Sequence, residues 1–269
     1  MTTESLSRDI TTIQQSNPLV HSITNHVVMN TTANSLLALG ASPVMAHARE
    51  EAADMTRIAG ALVLNIGTLS PLWVEAMHLS LEAAVDAGTP VVLDPVGAGA
   101  TSYRTNTALA LLKTGGITVL RGNASEILAL TPAGGRTKGV DSTDDADQAL
   151  DAIRELALRH DVIVSVSGKT DHIISAEQHI RVQNGTALMA RITGMGCTAS
   201  AFTGAFCAVN EEYLQAAAHA MATLGIAGEI AEMDSRGPGS FPVVLLDTLA
   251  KLDAETVTKL AKFDEGEQN

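Results

Sequence analysis

Short apolar segments alternate with longer helical ones along the first 165 residues, and this alternation predicts repeated strand–helix units. The apolar segments lack a period of two, which is typical of strands buried on both faces of a sheet. We predict strands at Leu19–Ile23, Pro43–Ala46, Ala61–Ile66, Pro90–Leu93, Thr118–Leu120 and Val162–Ser165. We predict helices at Val27–Leu39, Glu50–Ala59, Pro71–Ala87, Thr105–Lys113, Ala124–Leu130 and Thr143–Arg159. Such units imply an α/β fold with a mainly parallel sheet between helices.

The pattern changes in the last third of the chain. Two short apolar segments flank a turn and predict an antiparallel pair at Ile173–Ser175 and His179–Val182. Three further helices are predicted at Cys197–Val209, Glu212–Glu232 and Val243–Leu252. The chain contains no low-complexity linker, so we predict one domain over residues 1–269, with a disordered acidic tail at about 263–269. Residues 131–145 are the most loop-like stretch and are predicted to form a mobile flap.

Composition excludes several classes of protein. Hydrophobic residues make up 46% of the chain, so it is too apolar to be disordered. The net charge of −13 argues against nucleic acid and anionic lipid as partners, because both require clustered Lys and Arg. The first ten residues hold Glu4 and Asp9 and no apolar segment, which argues against a signal peptide and favours a cytoplasmic protein. Two cysteines cannot form a disulfide framework.

One long segment without charge, from residue 10 to residue 48, departs from this ordinary composition. Its many Asn, His, Thr and Ser residues argue against a membrane span, because no stretch of 18 residues within it is predominantly apolar. We therefore interpret it as a buried part of a soluble protein. It predicts a binding region that is uncharged but able to form hydrogen bonds.

Polar residues follow the predicted strands, at the sheet edge where ligands of open parallel sheets bind. Asp94 ends a buried strand, where it either holds Mg²⁺ through water or occupies a turn before Pro95. Arg121 leaves the next strand, and Asn123 and Glu126 have the spacing of a helix capping box. The alternative is that Arg121 binds a phosphate and Glu126 lies near Mg²⁺.

The sequence ITGMGC, at residues 192–197, is the sharpest candidate for chemistry. Backbone N–H groups at a helix start bind anions, so we predict an anion hole at Gly194, Met195, Gly196 and Cys197. The same position is expected to favour the thiolate of Cys197, as a proton acceptor or a nucleophile. The competing interpretation is a small buried cysteine packed at a helix start. The motifs of zinc enzymes, hydrolase elbows and P-loop proteins are absent from the sequence.

Together these segments resemble the hydroxyethylthiazole kinase family. The resemblance begins with NPLVHSITNHVVMNTTANSLLALGASPVMAHAREEAADM and continues through VVLDPVGAGA, VLRGNASEI, VSGKTD, GMGCTASA and GPGSF. It covers about residues 12–250. It implies a ribokinase-like fold, a three-layer α/β/α sandwich without a separate lid domain. It also implies ATP-dependent phosphorylation of the hydroxyl of 4-methyl-5-(2-hydroxyethyl)thiazole in thiamine salvage, by a homotrimer with active sites between its subunits.

The resemblance also implies which residues bind each of the two substrates. Met45 and Gly194 match the thiazole-binding positions, and Asn25 is expected to line the same pocket. Arg121 and Ser167 match the ATP-binding positions, although some relatives carry Thr in place of Ser167. A pocket of Met, Asn and Gly suits an uncharged heteroaromatic alcohol, in agreement with the uncharged early segment.

The catalytic groups also follow from the resemblance. Asp94 and Glu126 match the acidic pair that serves Mg²⁺ in ribokinase-like enzymes. Cys197 stands where most of the superfamily places an Asp as general base, and Cys is usual in the thiazole kinases. Met195 departs from the family pattern, because a Thr is expected at this position of a GTGC motif.

Four alternatives remain open from the sequence. Two belong to the same superfamily: a kinase for another small alcohol, such as hydroxymethylpyrimidine, and an ATP-dependent dehydratase that repairs hydrated nicotinamide cofactors. A third is an acyl transferase with Cys197 as its nucleophile, which would need a partner His that the sequence does not place. The last is a thiazole-binding protein without turnover.

Overall fold

The computed structural model describes residues 3–132 and 143–265. The strands of these residues form one sheet. In chain order they are β1 (Leu19–Ile23), β2 (Ser42–Val44), β3 (Ala61–Asn65), β4 (Val91–Asp94), β5 (Val119–Asn123), β6 (Ile163–Ser167), β7 (Asp171–Ile174), β8 (His179–Val182) and β9 (Phe263–Glu265). The order across the sheet is β2-β1-β3-β4-β5-β6-β7-β8-β9. Pairing is parallel from β2 to β6 and antiparallel from β6 to β9.

The helices cover both faces of this sheet and bury two separate apolar cores. One layer contains α1 (Thr3–Ser16), α2 (Met29–Leu39), α8 (Met195–Cys207), α9 (Tyr213–Asp234), α10 (Phe241–Leu249) and α11 (Ala254–Leu260). The other layer contains α3 (Ala52–Ile58), α4 (Pro71–Ala87), α5 (Ser102–Thr114), α6 (Ala124–Leu128) and α7 (Thr143–His160). The three-layer α/β/α sandwich that was predicted is therefore confirmed. None of the described helices combines the length and apolarity needed to cross a bilayer.

Two α-helices and one strand of the described residues were not predicted from the sequence. Helix α1 is rich in Ser, Thr and Gln, but Leu6, Ile10 and Ile13 recur on one face and are fully buried in the first core. Helix α11 packs against α1, and β9 pairs with β8. The prediction of a disordered tail is therefore wrong for Phe263–Glu265, because Phe263 packs on the core and Asp264 pairs with Arg181. Residues 266–269 lie outside the described part of the chain.

The predicted flap at residues 131–145 cannot be compared in full with the structure. Residues 133–142 lie outside the described part. On either side of them, Thr131 is buried in a turn after α6, and residues 143–145 already belong to α7. The flap therefore stays a prediction.

Candidate active site

A cavity of about 720 Å³ opens at the carboxyl end of the parallel strands. This volume lies within the range of small-molecule sites. It is bounded by the ends of β4, β5 and β6, the start of α8, the segment 184–190 and the middle of α9. Eight of the ten residues singled out from the sequence line it: Asp94, Arg121, Glu126, Ser167, Gly194, Met195, Gly196 and Cys197.

Strand alternation brings Asp94 and Arg121 to the same side of the sheet. Leu93 and Leu120, which directly precede them, are buried in the core under α4 and α5. Because successive side chains of a strand point to opposite faces, Asp94 and Arg121 point toward the α8 layer. Both are nearly fully buried, so the sheet places one carboxylate and one guanidinium cation below the start of α8.

The Asp94 carboxylate is held through one of its oxygens. Asn65 Nδ2 donates to Oδ2 at 2.8 Å, and Ser200 Oγ donates to the same oxygen at 2.7 Å. Burial raises the pKa of Asp94 to about 6, although the nearby Arg121 and the bond from Ser200 act in the opposite direction. Within the described residues both of these hydrogen bonds fall on Oδ2, which leaves the lone pairs of Oδ1 for a ligand.

The Arg121 guanidinium is a buried cation with unused hydrogen-bonding capacity. Its Nε atom is shielded from solvent and has no hydrogen-bond partner among the described residues. A Cβ atom added to Gly196 would lie 2.9 Å from Arg121 Nη1, so the guanidinium packs directly against the backbone at the start of α8. An unsatisfied buried charge is costly, and an anion in the cavity would offset this cost.

Helix α8 begins two residues earlier than predicted, and this strengthens the anion hole. Gly194 is the N-cap residue, with a left-handed backbone (φ 92°) that glycine adopts without strain. The N–H groups of Met195, Gly196 and Cys197 therefore belong to the first turn, where a helix supplies no acceptor. No side chain of the described residues caps this end. The start of α8 thus combines free N–H groups with the Arg121 charge beside it.

The environment of Cys197 contradicts the expectation of a favoured thiolate. Burial, and then the charge of Asp94, raises the pKa of the thiol above its usual value. Arg121 and hydrogen bonds from Asn65 and Asn25 oppose this increase without cancelling it. The position of Cys197 at a helix start therefore does not by itself favour the thiolate, because desolvation and the neighbouring carboxylate raise the thiol pKa by more than the helix dipole lowers it. Sγ accepts a hydrogen bond from Asn25 Nδ2 at 3.4 Å.

The capping box predicted for Asn123 and Glu126 is present. Asn123 Oδ1 accepts from the Glu126 N–H at 3.0 Å, and Glu126 Oε2 accepts from the Asn123 N–H at 2.9 Å. Glu126 Oε1 also accepts from the Gly97 N–H at 2.8 Å. These bonds tie the β4–α5 loop to the start of α6. Each oxygen keeps a second lone pair, so the capping role does not exclude an interaction with a hydrated metal ion.

The turn between β6 and β7 forms another wall. Ser167 lines the cavity, and its Oγ donates to the Gly122 carbonyl at 3.4 Å. Asp171 Oδ1 accepts from the Gly168 N–H at 2.9 Å and fixes the turn. Burial raises the pKa of Asp171 to about 6. Lys169 lines the cavity as well, so among the described residues Arg121 and Lys169 are the cationic side chains that line it.

The opposite wall is apolar and was not identified from the sequence. Segment 184–190 crosses α9 at two glycines. A Cβ atom on Gly225 would lie 2.7 Å from the Asn184 backbone, and one on Gly228 would lie 2.5 Å from Met189 Sδ. Glu229 anchors the segment by accepting from the Gly185 N–H at 2.9 Å. No hydrophobic periodicity in the sequence indicates this wall. The sequence feature that could have indicated it is the pair of glycines in α9, Gly225 and Gly228, which allow the segment to pack closely.

Asn25 and Met45 do not line this cavity. Asn25 lies next to it through its hydrogen bond to Cys197. Met45 follows β2, at the far edge of the sheet, and is partly buried. Within one chain, the structure therefore brings together the predicted nucleotide, metal and anion-hole residues and leaves Met45 apart from them.

Comparison with known structures defines the class of protein. The pyridoxal kinase of Staphylococcus aureus has the same fold, with a TM-score of 0.60 and 15% identity over 79% of this chain and 88% of that one. The chain is thus a ribokinase-like α/β protein. A structure of the hydroxyethylthiazole kinase protein from Pyrococcus horikoshii OT3 is much more similar, with a TM-score of 0.90 and 43% identity over 98% of this chain and 100% of that one.

Sequence comparison narrows this class. Residues 10–255 match the profile of the hydroxyethylthiazole kinase family. The hydroxyethylthiazole kinase of Syntrophus aciditrophicus is 52% identical over 268 residues, which cover 99% of each chain. That of Vibrio parahaemolyticus is 48% identical over 263 residues, which cover 98% of this chain and 99% of the relative. The chain belongs to the hydroxyethylthiazole kinase family, a family of phosphotransferases, and the resemblance inferred from its motifs is confirmed.

Proposed function

We propose that this protein transfers the γ-phosphoryl group of ATP to the hydroxyl of 4-methyl-5-(2-hydroxyethyl)thiazole. The observation that carries the proposal is the buried Arg121 guanidinium, which packs with an unpartnered Nε against the uncapped start of α8. Free N–H groups and a desolvated cation together form an anion site. Family membership assigns that anion to a nucleotide phosphate and the acceptor to a thiazole alcohol.

The phosphates would lie between the start of α8 and Arg121. The apolar wall formed by segment 184–190, Met221 and Leu224 would then receive the adenine base, and Ser167 and Lys169 would lie between base and phosphates. In this arrangement the N–H groups of Met195, Gly196 and Cys197 stabilise the charge that develops on the transferred group. Because the transition state of phosphoryl transfer is loose, positioning and charge stabilisation supply most of the catalysis.

Asp94 and Glu126 have the chemistry required for Mg²⁺. Carboxylate oxygens of both line the cavity, and Mg²⁺ is commonly held by one or two carboxylates, phosphate oxygens and water. Within the described residues no three His, Cys, Asp or Glu side chains converge into a complete cage, which agrees with a largely hydrated ion. When bound, the ion would neutralise charge on the phosphates.

Cys197 would accept the substrate proton late in the reaction. The oxygen–phosphorus bond to the alcohol forms as the bond from phosphorus to the leaving ADP oxygen breaks. The hydroxyl proton then passes to Sγ in its thiolate form, which must first have released the thiol proton to solvent. Burial and the charge of Asp94 make the thiolate the minor form but a stronger base than an ordinary carboxylate, and Arg121 and the Asn25 N–H favour that form. The loose transition state requires little deprotonation at an early stage.

The alcohol would occupy a crevice formed by Asn25, Gly194 and Met45. Met45 lies apart from Gly194 within one chain, so we propose that a homotrimer completes the crevice by placing Met45 of one subunit beside the Gly194 and Cys197 side of its neighbour. Crosslinking between cysteines introduced at Met45 and at Val28, which touches Gly194, should join two chains. Crosslinks that form within one chain would contradict this arrangement.

An ADP-release assay tests the function directly. With Mg²⁺ and ATP, the thiazole alcohol should increase ADP release, and mass spectrometry should detect its phosphate ester. Hydroxymethylpyrimidine serves as the control alcohol and should give a much lower kcat/KM. ADP release without any phosphorylated product, or a preference for the pyrimidine, would contradict the proposal.

A further inference from the structure

Asn65, at the end of β3, connects the two sides of the candidate site. Its Oδ1 accepts from Asn25 Nδ2 at 2.9 Å and from the Gly67 N–H at 3.0 Å. Its Nδ2 donates to Asp94 Oδ2 at 2.8 Å. Asn65 is 1% exposed, so water does not substitute for any of these bonds. The Asn65 side chain therefore contacts both Asp94, on the nucleotide side of the site, and Asn25, whose amide contacts the candidate base Cys197.

Two backbone N–H groups determine which way both amides face. The Gly67 N–H can only donate, so Asn65 presents its oxygen to Gly67 and its NH₂ group to the carboxylate. The Val27 N–H donates to Asn25 Oδ1 at 3.1 Å in the same manner. The NH₂ group of Asn25 must then face Asn65 and Cys197. The amide orientations thus follow from the backbone and do not depend on arbitrary assignment.

We propose that Asn65 is a positioning residue for phosphoryl transfer, which aims the Asn25 N–H at Cys197 and holds Asp94 by one oxygen. The inference rests on the proposed function for its kinetic part. Asn65 touches neither substrate in this scheme; it acts through Asn25 and Asp94 and through its own hydrogen bond to the Cys197 thiol. Loss of the side chain leaves the Asn25 amide held by the Val27 N–H without its second anchor, and leaves Asp94 Oδ2 with one donor fewer. Both lie in a buried site where unmade hydrogen bonds are costly.

Gly67 gives an independent way to disturb the same network. A Cβ atom at Gly67 would lie 2.5 Å from Asn25 Nδ2, closer than side chains tolerate. Gly67→Ala should therefore displace Asn25 while the Asn65–Asp94 bond remains. The two substitutions share one consequence, a misdirected Asn25, and differ in their effect on Asp94.

Alkylation of Cys197 by iodoacetamide in the free protein tests the positioning directly. The N–H bond to Sγ supports the reactive thiolate, so Asn65→Ala, Gly67→Ala and Asn25→Ala should each slow labelling of Cys197 severalfold. The double variant Asn25→Ala/Asn65→Ala should label more slowly than Asn25→Ala by much less than the effect of Asn65→Ala alone, because Asn65 acts largely through Asn25. Cys207 is buried, and faster labelling there would report a loosened fold.

Steady-state kinetics provide the second measurement. Asn65→Ala should lower kcat by about tenfold or more, while the KM for ATP changes by less than about threefold. Asn34→Ala, at an exposed asparagine of α2, is the matched control and should change neither value. Unchanged or faster alkylation of Cys197 in Asn65→Ala, or additive effects in the double variant, would overturn the proposal. The alkylation measurement needs no nucleotide, so it decides the positioning role even if the wild-type protein phosphorylates no thiazole.

Discussion

Two buried polar clusters lie at the two ends of helix α8, about 20 Å apart for a helix of this length. The cluster beyond the C-terminal end joins α1 to α9: Asp9 Oδ2 accepts from His219 Nδ1 at 2.6 Å and from Asn210 Nδ2 at 2.7 Å. His219 Nε2 also lies 3.3 Å from Ser5 Oγ. The cluster at the N-terminal end contains Asn65, Asp94, Asn25 and Cys197 with Arg121 beside them.

The two clusters differ in how completely their polar groups are used. In the α1 cluster both nitrogens of His219 have partners, and the cluster packs between aromatic rings of the first core. In the site cluster Arg121 Nε has no partner among the described residues, and the groups around it line a cavity. A saturated buried network stabilises a fold, whereas an unsaturated one that faces a cavity is available to a ligand.

The largest expected effect follows from breaking the saturated cluster. Asp9→Ala leaves the buried His219 and the half-buried Asn210 without their shared acceptor, and should reduce the free energy of unfolding by about 3 kcal/mol. Urea unfolding at fixed protein concentration measures it, with Arg8→Ala, one residue away on the exposed side of α1, as control. The KM values of Asp9→Ala at low temperature should match those of the wild type. Unaltered unfolding would show that the cluster is not structural.

The next effect concerns the unsaturated cluster. Arg121→Ala should raise the KM for ATP by about 10- to 100-fold, because a charge-assisted bond to phosphate is lost, and should affect the KM for the alcohol less. Its Tm should fall only slightly, since the unpartnered Nε is removed but the buried Asp94 loses a neighbouring cation. The exposed Arg57 provides the control variant Arg57→Ala. A larger increase in the KM for the alcohol would move Arg121 out of the nucleotide site.

A smaller effect on turnover is expected at Cys197. Cys197→Ala should keep the fold and lower kcat by about tenfold, because late proton transfer contributes modestly to a loose transition state. Cys197→Asp should remain active, since a carboxylate also accepts a proton. The control Cys207→Ala removes the thiol at the opposite end of α8. Full kcat in Cys197→Ala would exclude the role as base.

The smallest effect concerns a polar pair that neither cluster includes. His172 Nδ1 lies 2.9 Å from His179 Nε2 on the β7–β8 hairpin, and burial followed by the His172 charge lowers the pKa of His179 to about 4. In the unfolded chain this histidine binds a proton near pH 6.5, whereas in the folded protein it does so only near pH 4. The free energy of unfolding therefore falls as the pH is lowered from about 6.5 to about 4. His179→Gln should reduce the slope of Tm against pH in this window, whereas the exposed Gln178→Ala should leave it unchanged.

The parallel half of the fold could be predicted from its apolar segments because each strand is buried on both faces. Strand β1 has the bounds predicted, and so does α4. Helix α1 was missed because its three buried residues stand among polar ones, and their meaning depends on α11, which lies more than two hundred residues away. Strand β9 carries two acids, and only pairing with β8 explains it.

The chemistry of the site was predictable to a similar degree. Asp94 and Arg121 were found because they directly follow the predicted strands Pro90–Leu93 and Thr118–Leu120, at the edge where a parallel sheet opens to ligands. The structure places Asp94 at the end of β4 and Arg121 within β5. Asn65 also lies at the end of a strand, but its role depends on which side chains of other strands reach it, and sequence spacing does not contain that information. The thiol of Cys197 was misjudged for the same reason, since the burial and the carboxylate that raise its pKa come from folding.

The two borders of the sheet carry a further consequence. At one border β2 has Pro43 at its centre, which offers no N–H to an incoming chain, and at the other β9 is three residues long and acidic. Both ends therefore resist the addition of another strand. A molecule with so apolar an interior is thereby protected from joining edge to edge with other copies into fibres.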